Sequence, residues 1–68
     1  MKVNADKLKG KIVANGINVE TLAFAIGIDR SSLYRKLNNF EKITIGEAKA
    51  IKETLNMTDS EACEIFLT

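Results

Sequence analysis

The stretch that most constrains this chain runs from Asn18 to Leu37, NVETLAFAIGIDRSSLYRKL, and it reads as two short helices joined by a tight turn. Asn18 caps the first, because its side-chain oxygen accepts from a free backbone N–H one turn in. Leu22, Ala23 and Ile26 then recur at helical spacing, which gives a helix over Val19–Ile26. Gly27 stands where helices commonly stop in the left-handed conformation, which glycine adopts without steric cost. Asp29 is ready to cap a second helix, Arg30–Asn38, whose buried stripe is Leu33 and Leu37. Phe24 lies roughly 200° around the first of these helices from Leu22, and its expected place is against the preceding helix or the chain ends. An exposed aromatic that meets another protein or a DNA backbone is the other reading.

Two helices separated by only Gly27 to Asp29 have the helix-turn-helix arrangement, in which the second helix is offered to the major groove of DNA. With its leucines inward, that helix turns Ser31, Tyr34, Arg35 and Asn38 outward, and Arg30 projects from the first turn. Arg30 suits a guanine through O6 and N7, Ser31 serves as donor or acceptor, and Tyr34 suits a thymine methyl or gives its hydroxyl to a phosphate. Arg35, Lys36 and Asn38 are expected on backbone oxygens, which position a protein without specifying sequence, and Ser32 either reaches a phosphate or hydrogen-bonds near the helix start. Asn38-Asn39 suits a left-handed exit into a loop ending near Lys42, beneath which Phe40 is expected to anchor.

The order Leu22-Ala23, Gly27-Ile28, a cap at Asp29 and Leu33 resembles the helix-turn-helix of the phage Cro/repressor (XRE-like) family, and the whole chain resembles the small phage-encoded regulators of that class. The resemblance implies an all-α fold of five short helices, a lambda-repressor-like domain. The small residue at Ala23 then lets two helices approach, and Ile28 and Leu33 fill the core beneath the turn. It also implies an operator duplex as partner, the loop carrying Asn39 and Lys42 along the DNA backbone, and dimers on palindromic half-sites. One position departs: the family often has Gln at the start of the first motif helix, where it helps fix a phosphate contact, and Val19 stands here.

The flanks read as three further helices and no strand. Val3–Asn15 carries Asn4 as a cap, Ala5, Leu8 and Ile12 on one face with Val13 at its edge, Lys7, Lys9 and Lys11 mostly on the solvent side, and Asn15-Gly16 as its stop. Thr44-Ile45-Gly46-Glu47 is a capping box with Ile43 placed to staple onto Ala48, and it opens Ile45–Leu55 over Ala48, Ile51 and Leu55, ended by Asn56. A second box, Thr58 to Glu61, opens Asp59–Phe66, whose inner face is Ala62, Ile65 and Phe66. Ile65, Phe66 and Leu67 either close the core or leave surface for a two-fold contact.

At 68 residues the chain is read as one domain near the lower limit for a core without staples, since the single Cys63 forms no internal disulfide. Cys63 is expected to act as a small apolar side chain, and the absence of disulfides fits a reducing cytoplasm. The lysine-rich start lacks the apolar segment of a signal peptide, and Leu22 to Ile28 is far short of the roughly 20 residues that span a bilayer. Net charge is only +1, but residues 1–42 carry net +4 and residues 43–68 net −3, a field suited to holding DNA on one face. With no histidine, an isolated cysteine and no Gly-rich phosphate loop, catalysis, metal binding, a cofactor and a small-molecule ligand are not expected. A helical module that binds a protein, such as a repressor antagonist, remains the alternative to DNA binding.

Overall fold

The computed structural model describes residues 3–38 and 42–66, and these form five helices and no strand. The helices are α1 (Ala5–Ala14), α2 (Val19–Ile26), α3 (Arg30–Leu37), α4 (Ile45–Thr54) and α5 (Asp59–Phe66). None of them is long and apolar enough to cross a membrane. Helix α2 is the centre of the packing, touching α1, α3 and α4, while α5 closes over α1.

Every helix begins in the same way. The residue before the cap is apolar, the cap is a small polar residue, and a second apolar residue follows four beyond it. The pairs are Val3 and Leu8, Ile17 and Leu22, Ile28 and Leu33, Ile43 and Ala48, and Met57 and Ala62, and all ten belong to the core or pack on it. This is the staple arrangement, which fixes the angle at which the chain enters each helix. Asn4, Asn18, Asp29 and Thr44 each accept a backbone N–H of the first turn. Reciprocal bonds of about 3 Å complete the boxes Thr44–Glu47 and Thr58–Glu61.

Three helix ends are alike as well. Gly16, Gly27 and Asn56 take positive φ values of 72°, 80° and 52°. At each, the following N–H reaches back five residues: Ile17 to Ile12 O, Ile28 to Ala23 O and Met57 to Lys52 O. The apolar residue after the left-handed one is therefore returned to the core, and the next residue caps the new helix. Asn38 differs from expectation, leaving α3 at φ −92° and not in the left-handed region. Asn39, Phe40 and Leu67 lie outside the described residues.

Leu8, Leu22, Leu33, Leu37, Ile51 and Leu55 are fully buried, and no polar side chain is buried among the described residues. Ile65 and Phe66 are buried too, so both serve core closure. Met57 joins the core from a linker where the sequence pattern shows no helix. Two expectations are corrected. Phe24 is not packed away but stands 88% exposed, because the inward face of α2 is taken by Leu22 and Ala23 with Val19 and Ile26 beside them. Lys11 is not a solvent-side lysine: its ammonium donates to Glu61 Oε2 at 2.6 Å and, with Lys7–Glu64 at 3.7 Å, ties α1 to α5. Cys63 is exposed.

Two measurements test this account. An added Cβ at Gly27 meets nothing within 4 Å, so substitution there is opposed by backbone conformation alone. Gly27→Ala should cost about 1–2 kcal/mol in urea unfolding, with Gly27→Asn costing less and Gly27→Val more. Acid should weaken the α1–α5 tie. Lys11, and then the Thr58 N–H, hold the Glu61 carboxyl at about 2 against an ordinary 4.5. A depressed pKa means that the stabilisation is complete above about pH 4.5 and is lost as pH falls towards about 2. Glu61→Gln keeps a capping acceptor but no charge. Its melting temperature should therefore lie below the native chain's near neutral pH and converge on it through that acid window; a gap that persists at the acid end would refute the ionic origin.

Candidate nucleic-acid interface

Helix α3 is presented by what lies at both of its ends and beneath it. Asp29 caps it by accepting from the Ser31 N–H at 2.9 Å, and the left-handed turn at Gly27 redirects the chain from α2 into it. Leu33 and Leu37 are fully buried and root it in the core. At about 100° per residue, Tyr34, Asn38, Ser31 and Arg35 then share an arc of about 100° on the far side. All four are exposed, with Tyr34 47% accessible. The structure thus brings Arg30, Ser31, Tyr34, Arg35 and Asn38 to one outward stretch of a single helix.

The sequence-derived residues divide at the edge of this arc. Arg30 is exposed at the first turn, and its Nη1 stands 3.3 Å from Glu20 Oε2 on α2. Ser32 is half-buried, its Oγ accepting from Arg35 Nη2 at 3.5 Å. Lys42 is exposed in the segment before α4, and Asn39 lies outside the described residues. Lys36 is placed differently from the phosphate contact expected of it. Its side chain is only 13% exposed, and its ammonium is 3.2 Å from Glu47 Oε1 and 3.2 Å from the Lys42 carbonyl. The flank of α3 that carries Lys36 faces the start of α4, so this lysine ties the two helices.

Glu47 is the partner that makes the tie firm. Its partial burial disfavours the charged form, yet the Thr44 N–H and Lys36 together hold its carboxyl below the usual range. One carboxylate oxygen therefore serves both the N-cap of α4 and the C-terminal half of α3. Glu20 is the site residue that the sequence pattern does not single out. It reads as an ordinary first-turn acid of α2, and only the turn at Gly27 brings it to Arg30, ten residues on. A shallow, mainly apolar groove between α4 and α5, lined by Ile45, Ala48, Ala62, Cys63 and Phe66, includes no residue of α3.

If Lys36 is structural, removing it should be felt in folding. Lys36→Met should lower stability by about 1–3 kcal/mol, since Glu47 is left half-buried without its cation. Lys9→Met, at an exposed position of α1, should change it by no more than about 0.5 kcal/mol. Chemical denaturation of the two variants makes the comparison, and equal effects would remove Lys36 from this role.

No protein-family model matches the chain, and no curated protein or solved structure does.

Proposed function

We propose that the chain is a sequence-specific DNA-binding regulator of transcription, of the phage or prophage Cro/repressor kind, acting by placing α3 in the major groove of an operator. The observation that carries this reading is the outward face of α3, where Arg30, Ser31 and Tyr34 stand open on a helix anchored by two fully buried leucines. Residues at the N-terminal end of such a helix meet base edges when it enters the groove. Arg30 then reads guanine O6 and N7, Ser31 pairs with either donor or acceptor, and Tyr34 lies against a thymine methyl. Arg35, Asn38 and Lys42 take phosphate oxygens, and Ser32 and Asn39 belong to the same contact set at its edge.

The mechanism is occupancy. A chain seated on an operator excludes polymerase or a competing repressor, and it needs no cofactor. Two copies on a palindromic site would address half-sites about 34 Å apart. A second reading, a module that binds another protein through the same fold, draws its support from Phe24, whose ring is 88% exposed.

Binding to mixed duplex DNA at graded salt separates the two. Phosphate contacts make affinity fall steeply as salt rises, whereas no retention at low salt would leave the protein-binding reading. Within the DNA reading, Arg30→Ala should cost about 1–3 kcal/mol and flatten preference at one base pair of a selected site. Lys42→Ala should weaken all duplexes alike and reduce the salt slope by about 0.9. An Arg30→Ala variant with unchanged preference would overturn the base-reading assignment.

A further inference from the structure

We propose that Glu20 is a specificity residue: its carboxylate holds one edge of the Arg30 guanidinium so that the other edge reads a guanine and is not captured by a phosphate. The inference rests on the DNA-binding reading and adds to it a residue from the neighbouring helix. Glu20 Oε2 lies 3.3 Å from Arg30 Nη1, with 68% and 61% of the two side chains exposed. So open a pair contributes little to folding. Nor does Arg30 gain from its position, because the first turn of α3 is the positive end of the helix dipole. Asp29 occupies the cap there and its carboxylate accepts from the Ser31 N–H, leaving Arg30 to Glu20.

Arginine carries five N–H donors in a fixed fork. With Nη1 turned to Glu20, the edge formed by Nε and Nη2 is left, and two donors side by side match guanine O6 and N7. Guanine offers neutral acceptors to that edge, whereas a phosphate brings a second negative charge close to the Glu20 carboxylate. The acid thus lowers the generic attraction of Arg30 for any duplex while leaving its attraction for a G·C pair. It also limits the rotamers among which a long side chain would otherwise wander, so less freedom is lost on reading the base.

The test uses the full chain, a duplex selected from random sequences, and the same duplex changed at the base pair whose preference Arg30→Ala flattens. Glu20→Gln should narrow the affinity ratio between the two duplexes by about two- to fivefold, the range an exposed ion pair can supply. It should also tighten binding to unrelated DNA and steepen the salt slope by up to about 0.9, as Arg30 turns to a phosphate. In an Arg30→Ala background Glu20→Gln should leave the ratio unmoved. Circular dichroism melting of Glu20→Gln guards against a folding defect, and Glu20→Asp, which keeps the charge on a shorter stem, should fall between the two. If the native chain shows salt-dependent, sequence-selective binding but Glu20→Gln leaves the ratio unchanged, the role of Glu20 is refuted and the DNA reading stands. If the native chain binds no duplex at low salt, both fall.

Discussion

A helix of eight residues has more unsatisfied backbone groups at its two ends than bonds within, since four N–H and four C=O groups find no partner in its own ladder. Helices this short do not persist in water on propensity alone. The structure of this chain depends on how those ends are closed. The linkers Gly16-Ile17-Asn18, Gly27-Ile28-Asp29 and Asn56-Met57-Thr58 repeat one solution three times. A residue with positive φ turns the chain and closes the old helix, an apolar residue returns to the core, and a polar residue opens the next helix. Each linker therefore adds to the core at the place where a loop would usually cost it something. In a chain of 68 residues that economy matters, because little apolar surface is available elsewhere.

The same device decides where α3 stands. Its start is fixed by Gly27, Ile28 and Asp29, its inner face by Leu33 and Leu37, and its outer half by the Lys36–Glu47 tie to α4. The side chains of Ser31 and Tyr34 stand exposed outside that scaffold, and Arg30 meets it through the exposed Glu20 carboxylate. A rigid helix with an exposed polar face suits recognition, since side chains held on a firm backbone lose less freedom on binding.

The elements that the sequence shows well are those set by neighbours along the chain. The bounds of α2 and α5 follow directly from Asn18, Gly27 and the Thr58–Glu61 box, and the ends of α1, α3 and α4 differ from expectation by one or two residues. What the sequence hides is set by distance in the fold. Lys11 meets Glu61 fifty residues away, and Lys36 meets Glu47 across a break between helices. Glu20 meets Arg30 only because the turn between them folds back. Phe24 misleads for a different reason: an aromatic in an apolar run, LAFAI, suggests burial, but its angle on the helix places it opposite Leu22.

Charge counting needs the same correction. The basic half of the sequence owes part of its net +4 to Lys7, Lys11 and Lys36, and all three are spent on carboxylates of α4 or α5. Those pairs join the basic half to the acidic half, so the asymmetry that suggests a DNA-facing field is partly the glue of the fold. Opposite charges a few ångströms apart cancel beyond about a Debye length of 8–10 Å. On the DNA-binding reading proposed above, the field that reaches a duplex is therefore smaller than the count of basic residues suggests. Arg30 itself is shared with Glu20. Under that reading generic DNA is held weakly, and selectivity has to come from base contacts and not from the backbone. That places the burden on the first turn of α3, where the turn chemistry at Gly27 and Asp29 is also most tightly determined.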